Sequence, residues 1–357
     1  LALLAAAEPP APEPARVEAA RRAGLAWLVA NQIADGPDAG AWPGTQPRHR
    51  IAVAALAGLA LLADGRLPGA GAEGAPVARA LAYVLARQDA AGYFGADDAS
   101  GMYIHGIATV FALSCLGMQA DPAAEGELAA RCRRAVQVIV QAQQVAKPAN
   151  ARGGWRYTPH SGESDLSVSS WQLLALHAAR QAGLAVDDSA IEEGLEYLER
   201  GWLETAAGEG VAAAAGFAYR PGVSTQPEPG PTGAALFVRA LLRGGADDAR
   251  SRQGLAWLER FPAAWGGAHY HGYFWFVSFY LAQGRFQAGG AAWTAAAARL
   301  QALLLAHQEG DGRWGLPPDD APLSAGTGAA YPTAMAVLLL SLDHQFLPIF
   351  QRQSRLF

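Results

Sequence analysis

The segment ESDLSVSS at residues 163–170 places one acid and several hydroxyls at the start of an apolar helix pattern. Asp165 is a candidate proton donor, because a carboxyl group in an apolar pocket keeps its proton to a higher pH than usual. Asp and Ser are also common helix N-caps, whose side chains accept a hydrogen bond from the first helical turn. The sequence therefore supports two roles for Asp165 and Ser167: a chemical site, or the cap of a helix.

Two pairs of adjacent acids fall in predicted loops, Asp97–Asp98 and Asp319–Asp320. Glycoside hydrolysis needs two carboxyl groups, one to protonate the leaving oxygen and one to attack or to activate water. Adjacent acids point in different directions along an irregular chain, and acids in loops are commonly solvated. The sequence therefore favours solvated surface acids at both places over a hydrolytic pair.

Several histidines stand near the starts of apolar helix segments: His49, His105, His269 and His271. A zinc site made of histidines would need three or four of them around one ion. Cys115 and Cys132 lie in separate predicted helices and match no zinc-ligand pattern. Independent, hydrogen-bonded histidines are the simpler interpretation, so we expect no metal and no cofactor.

The composition excludes two classes of protein. Of the 357 residues, 51% are hydrophobic and 17% are charged, and the net charge of −5 lacks the basic surface of a nucleic-acid-binding protein. The longest apolar run, residues 51–63, is shorter than the roughly 20 residues that cross a bilayer. We therefore expect a protein that neither binds nucleic acid nor spans a membrane.

A small-residue and aromatic turn recurs along the chain, at 40–44, 91–95, 153–157, 215–219, 263–267 and 311–315. An amphipathic helix pattern precedes most of these turns, and a more uniformly apolar one follows each of them. Helices with a polar stripe face solvent, whereas helices that are apolar all round must be buried. Six such pairs predict an all-α fold, an α6/α6 toroid in which six outer helices surround six inner ones.

Closure of this ring would bring the starts of the inner helices to one opening. Polar and aromatic residues at these starts are the predicted ligand-binding residues: His49, Tyr103, His105, Ser167, His271, Tyr273, Trp275 and Tyr331. Aromatic faces with a few polar groups suit an apolar, elongated ligand. The alternative for Trp275 is packing in the core of the ring.

The turns DGRWG and GGWRY, each preceded by a Gln-rich helix end, resemble the Gln-and-Trp repeats of squalene–hopene cyclases. Stretches such as HRIAVAALAGLALLA resemble the exported bacterial branch of prenyltransferase/squalene-oxidase repeat proteins. This resemblance implies a toroid that binds an isoprenoid or another lipid. The resemblance indicates little about the reaction, because proteins that share one fold can catalyse different reactions.

The motifs of both chemistries are incomplete. Ser167 and Val168 replace two acids of the cyclase Asp-rich segment that Asp165 would begin, and the zinc ligands of the prenyltransferases are absent. We expect a terpene-cyclase- or prenyltransferase-like protein that binds an apolar ligand, with Asp165 as the candidate catalytic acid. The alternative is a non-catalytic exported scaffold that contacts a protein partner through its rim or tail. The sequence leaves open whether the protein is an enzyme.

The pattern divides the chain into three segments. Residues 1–14 resemble the end of a signal peptide with a Pro-rich spacer, which predicts an exported, periplasmic or extracellular protein. Residues 15–345 form the predicted toroid. Residues 346–357 form a C-terminal tail that either docks a partner or packs back across the ring.

Overall fold

The computed structural model describes residues 11–96, 98–206, 213–245, 247–320 and 326–352. Its first six helices are α1 Pro14–Ala30, α2 Arg50–Leu62, α3 Gly71–Leu85, α4 Gly101–Ser114, α5 Pro122–Gln143 and α6 Leu166–Gln181. The other six are α7 Asp188–Glu199, α8 Pro229–Arg243, α9 Ala249–Leu258, α10 Phe274–Ala288, α11 Gly290–Ala306 and α12 Ala330–Leu340. A short antiparallel pair, β1 Trp202–Thr205 and β2 Ala214–Phe217, lies between α7 and α8. Single 3₁₀ turns occupy Pro47–His49, Ala268–Tyr270, Leu342–His344 and Pro348–Phe350.

The even-numbered helices form a closed inner ring. Each of them packs against the next even-numbered helix, and α12 returns to pack against α2. The odd-numbered helices lie outside this ring, and each packs against at least one inner helix. The predicted all-α toroid is confirmed for the described part of the chain, with six helices in each ring.

The two rings differ in burial as their sequences require. In α4, every residue from Ile104 to Leu113 is buried, because a helix in the inner ring has neighbours on all sides. In α7, buried residues such as Ile191, Leu195 and Leu198 alternate with exposed acids on a solvent-facing stripe. The distribution of hydrophobic residues around each helix thus distinguishes the inner helices from the outer ones.

The recurring Gln and Trp residues join consecutive repeats. The Gln143 side-chain amide donates to the carbonyl oxygens of Gly153 (2.9 Å) and Ala190 (2.8 Å), linking the end of α5 to its turn and to α7. Gln32, Gln88 and Gln308 each donate in the same way to their own turn and to the next outer helix. The Trp155 indole donates to the Ile139 carbonyl at 2.7 Å. These residues satisfy buried backbone groups, so their repetition reports the packing of helical hairpins.

The turn glycines are required by close backbone approach. Gly40 and Gly153 have φ values of +96° and +84°, a region that other residues rarely adopt. A Cβ atom on Gly153 would lie 2.2 Å from the Glu193 carbonyl oxygen, and one on Gly40 would lie 2.1 Å from that of Arg79. The next outer helix therefore packs directly against each turn.

The C-terminal segment closes one end of the ring. Leu347, Ile349 and Phe350 are buried, and the Phe350 ring lies 5.6 Å from that of Phe279 in α10. This segment packs back across the inner helices as far as residue 352, as in one of the two alternatives given for residues 346–357. Residues 353–357 and 1–10 of the predicted terminal segments lie outside the described residues. No helix in the described ranges has the length and apolarity needed to cross a bilayer.

Candidate functional site

A cavity of about 780 Å³ opens at the N-terminal ends of the inner helices, opposite the C-terminal segment. Its volume lies in the range of small-molecule sites. All six inner helices and the loops before them contribute to its wall, which includes Arg48, His49, Leu56, Asp98, Tyr103, Tyr157, Ser167, Trp171, Tyr219, Glu228, His271, Tyr273, Phe276 and Tyr331. We call this space the central cavity.

Six of the predicted ligand-binding residues line the central cavity: His49, Tyr103, Ser167, His271, Tyr273 and Tyr331. They come from five inner helices or the segments before them, so the ring closure brings together residues that are far apart in sequence. His271 lies in a left-handed backbone conformation, with φ of 51°. Their binding of a ligand stays a prediction.

His105 and Trp275 do not line the cavity. The His105 ring accepts a hydrogen bond from the Phe94 amide and lies 3.0 Å from the Ala135 carbonyl oxygen, and burial lowers its pKa to about 4. The Trp275 indole is fully buried and donates to the Gly315 carbonyl at 3.1 Å. Both side chains bind backbone groups outside the cavity: His105 those of a neighbouring turn and of outer helix α5, and Trp275 that of a loop.

Asp165 lies below the cavity wall and is fully buried. Its Oδ1 accepts hydrogen bonds from the Val168 amide (2.9 Å) and the Ser167 hydroxyl (3.0 Å), so it is the N-cap of α6. Burial raises its pKa to about 6, although these bonds and the charge of Arg156 act in the opposite direction. Because Asp165 is not part of the cavity wall, a direct proton transfer from it to a ligand is not supported.

The histidines are not gathered into a metal site. In the described ranges, no three His, Cys, Asp or Glu side chains lie close enough to hold an ion. His49 and His271 line the cavity, whereas His269 packs against Tyr270 with ring centroids 4.0 Å apart. Burial and the neighbouring Arg48 lower the pKa of His49. His49 and His271 therefore contribute separate polar groups to the cavity wall.

Among the described residues, two with carboxyl groups line the central cavity: Asp98 in the loop before α4 and Glu228 immediately before α8. Asp98 Oδ1 accepts a hydrogen bond from the Ser100 amide at 2.6 Å, which fixes the side chain. Burial raises the pKa of Glu228, and the nearby His271 opposes this shift. Glu228 is not among the residues predicted from the sequence, although it stands immediately before an inner helix, as Asp165 does.

The second acid pair has a structural role. Asp319 Oδ2 accepts a hydrogen bond from the Gly267 amide at 2.7 Å, and Asp320 Oδ1 accepts one from the Phe274 amide at 3.0 Å. Burial raises the pKa of Asp320 to about 6. The pair holds the segment that carries His271, so the expectation of freely solvated acids does not describe these two residues.

Tyr157 and Tyr219 are further cavity residues that the predicted list lacks. Each is the last residue of a recurring turn, GGWRY or AGFAY, and their hydroxyls lie 3.0 Å apart. Trp171 and Phe276 add aromatic faces to the wall. The sequence does contain a signal for these two residues: each is a polar aromatic residue at the end of a turn that precedes an inner helix.

Comparison with known proteins gives structural but not sequence matches. No family model and no curated protein matches the chain. The α-1,6-mannanase GH76A of Salegentibacter sp. HEL1_6, as an inactive variant with two adjacent aspartates replaced by asparagine and with α-1,6-mannotriose bound, has a TM-score of 0.62 and 9% identity. That alignment covers 91% of this chain and 99% of the mannanase. The GH76 α-mannanase of Bacteroides thetaiotaomicron has a TM-score of 0.58 and 11% identity, over 92% of this chain and 96% of its own.

The resemblance to prenyltransferase/squalene-oxidase repeat proteins is therefore wrong. The neighbours in structure are mannanases, and at this identity they establish the fold alone. The Gln and Trp repeat was misleading, because these side chains donate hydrogen bonds to backbone carbonyls and so have a structural role.

The functional expectations drawn from that resemblance are wrong as well. Neither the terpene-cyclase- or prenyltransferase-like activity nor the non-catalytic scaffold is supported, and the apolar or lipid ligand is contradicted by neighbours that hold oligosaccharides. Six tyrosines, Asp98 and Glu228 put polar groups on a wall that is otherwise largely apolar. The ligand-binding residues predicted from sequence include three of these tyrosines and neither acid.

Proposed function

We propose that the protein is a glycoside hydrolase whose active site is the central cavity. The observation that carries this proposal is the presence of two carboxyl groups, Asp98 and Glu228, on the wall of one cavity that also presents aromatic faces. Glycosidases use two carboxyl groups on either side of the scissile bond. A sugar ring has apolar C–H faces and a polar edge, which suit tyrosine rings and hydroxyls.

The environments of the two acids suggest their roles. Burial raises the pKa of Glu228, so this residue holds its proton at a higher pH than an exposed glutamate does and is the proposed general acid. Asp98 is fixed by the Ser100 amide and faces the neighbourhood of His49, and it is the proposed base or nucleophile. The two residues precede α4 and α8, which are separated by α6 in the ring, so the substrate would lie between them.

The mannanases of the same fold support this choice. Two of their structures are inactive variants with adjacent aspartates replaced, and each holds an α-1,6-linked manno-oligosaccharide. This chain also has adjacent aspartates, Asp97 and Asp98, in the loop that leads into an inner helix. Asp97 lies outside the described residues. The first substrates to test are therefore α-1,6-linked manno-oligosaccharides, followed by other linkages.

The test is an assay of saccharide cleavage by mass spectrometry with purified protein and a panel of oligosaccharides. We expect one linkage class to be cleaved, and Asp98→Asn and Glu228→Gln each to abolish cleavage. Matched controls are Asp187→Asn, at the exposed residue before outer helix α7, and Glu192→Gln on the exposed face of that helix, both of which should leave the rate unchanged. A panel that is neither cleaved nor bound overturns the proposal, and full activity in both cavity variants overturns the assignment of the acids.

Export belongs to the same proposal, because a hydrolase of polysaccharides meets its substrate outside the cell. The prediction of export rests on residues 1–14, which resemble the end of a signal peptide. Fractionation of cells that express the full-length gene tests it. Enzyme in the periplasm or medium supports export, and enzyme confined to the cytoplasm overturns it.

A further inference from the structure

A chain of hydroxyl groups connects the wall of the central cavity to the buried carboxyl group of Asp165. The Tyr103 hydroxyl lies 2.5 Å from Ser167 Oγ, and the Ser167 hydroxyl donates to Asp165 Oδ1 at 3.0 Å. Tyr103 and Ser167 both line the cavity, whereas Asp165 has no exposed surface. The protonation of Asp165 can therefore reach the cavity through these hydroxyls, and Tyr219, which also lines the cavity, is a second neighbour of the carboxyl group.

The carboxyl group is held in an unusual state. Its Oδ2 has no hydrogen-bond partner within the described ranges, and the nearest cation, Arg156 Nε, lies 3.8 Å away and also pairs with Glu163. Burial raises the pKa of Asp165 to about 6, against the opposing effects of the Val168 amide, the Ser167 hydroxyl and Arg156. An orphaned buried carboxylate oxygen is costly, so a structural cap alone does not explain the choice of Asp over Asn.

Every titratable or charged group that faces Asp165 comes from a neighbouring element. They are Arg156 and Tyr219 from the loops before α6 and α8, Tyr103 from α4, Tyr197 from α7 and Tyr280 from α10. Burial raises the pKa of each of these tyrosines above its ordinary value, so they stay protonated near neutral pH. Asp165 is therefore the group in this cluster that changes charge between about pH 5 and 7.

The direction of the hydrogen bonds follows from this charge. An ionised carboxylate accepts hydrogen bonds and donates none, so the single Ser167 proton must point to Asp165. The Tyr103 proton must then point to Ser167 Oγ, which leaves only lone pairs of the Tyr103 oxygen for the cavity. When Asp165 is protonated this constraint disappears, and the Tyr103 hydroxyl is free to rotate.

We propose that Asp165 is a positioning residue that, through Ser167, orients the Tyr103 hydroxyl as an acceptor for a hydroxyl of the bound saccharide. This inference rests on the proposed glycoside hydrolase function. It goes beyond it by naming the group that fixes the hydrogen-bonding character of the cavity wall. Saccharide binding should strengthen as Asp165 ionises, because sugar hydroxyls can then donate to an oriented oxygen.

The first experiment needs no ligand. The carbon-13 signal of Tyr103 Cζ, assigned by its loss in Tyr103→Phe, is followed by NMR from about pH 4 to pH 8. We expect a titration with a midpoint near the pKa of Asp165, lost in Asp165→Asn and in Ser167→Ala. Asparagine caps a helix as well as aspartate does, so the first variant should fold. Ser170→Ala, which removes a buried hydroxyl bonded only to the Leu166 carbonyl of the same helix, is the control and should titrate as wild type does.

A pH-independent Tyr103 signal in the wild type, or an unchanged titration in Asp165→Asn, overturns the inference.

The second experiment measures kinetics on the cleaved saccharide. We expect Asp165→Asn to raise KM about 5- to 10-fold with kcat unchanged, the size of one lost hydrogen bond. An unchanged KM across the pH range also overturns it. If Tyr103 titrates as expected and no saccharide is bound or cleaved, the proposed function is wrong, whereas the coupling of Tyr103 to Asp165 through Ser167 is supported.

Discussion

The two ends of the inner ring are built from the same helices and filled in different ways. At the C-terminal ends, the buried Phe350 ring packs against the rings of Phe237 and Phe279. At the N-terminal ends, tyrosine hydroxyls and carboxyl groups surround the central cavity. Trp171, stacked on Phe279 with an interplanar angle of 7°, separates the two. One end therefore serves stability and the other is available for chemistry.

The largest effect should come from Glu228→Gln at the cavity end. Loss of a general acid is expected to lower kcat about 10²- to 10⁴-fold, because the leaving oxygen is no longer protonated. The melting temperature should stay close to that of the wild type, since the side chain lies on the cavity wall. Saccharide cleavage and thermal denaturation measure the two quantities. A large loss of stability together with activity would contradict the division between the ends.

Phe350→Ala tests the closed end. The substitution removes a buried ring and should lower the free energy of unfolding by about 3–5 kcal/mol, measured by urea denaturation. Below the melting temperature, kcat should be within about twofold of the wild type. Phe346→Ala is the control, because Phe346 is 59% exposed and its removal should cost less than about 0.5 kcal/mol. Equal losses in the two variants would show that the tail does not close the ring.

Gln143→Ala tests the connections between repeats. Two buried carbonyl groups would lose their donor, which should lower the free energy of unfolding by about 2–4 kcal/mol. The neighbouring Gln144 is exposed, so Gln144→Ala should have little effect in the same denaturation experiment. A neutral result for Gln143→Ala would contradict the structural role assigned to the repeated glutamines.

Asp165→Asn should change the pH dependence of stability. The folded-state pKa of about 6 lies above the ordinary value of 3.8, so the native state binds a proton more tightly than the unfolded state does. The stability that this proton contributes is present below about pH 4 and is lost as the pH rises through 6. Relative to Asp165→Asn, the wild type should lose about 3 kcal/mol between pH 4 and pH 8. Denaturation curves at several pH values test this. Ser170→Ala keeps Asp165 and should show the same pH dependence of stability as the wild type. A constant difference in stability between the wild type and Asp165→Asn would contradict the raised pKa.

The sequence predicted the toroid because its signal is repeated and physical. Inner helices such as α4 must be apolar on all faces, whereas outer helices such as α7 keep a polar face. The distribution of hydrophobic residues around each helix therefore assigns it to the inner or the outer ring. The prediction that residues near the inner-helix starts share one space followed from ring closure, and Tyr103, Ser167 and His271 do line one cavity.

The composition of the wall was less accessible to sequence reasoning. Whether a side chain at a helix start turns inward depends on the rotation of that helix, so His105 and Trp275 entered the list although they lie in the packing behind the ring. Glu228 stands in a Pro- and Gly-rich loop whose path no periodicity specifies. The family was misjudged because glutamine and tryptophan repeats report hairpin packing, which proteins of different chemistry can share.

The most direct test is a crystal structure of Glu228→Gln grown with the oligosaccharide that the wild type cleaves fastest, beginning with α-1,6-mannotriose. We predict a saccharide in the central cavity, with a glycosidic oxygen within hydrogen-bond distance of the residue 228 amide and with Asp98 beside the adjacent sugar ring. An empty cavity at saturating saccharide, or a saccharide bound on the outer surface of the ring, would contradict the account.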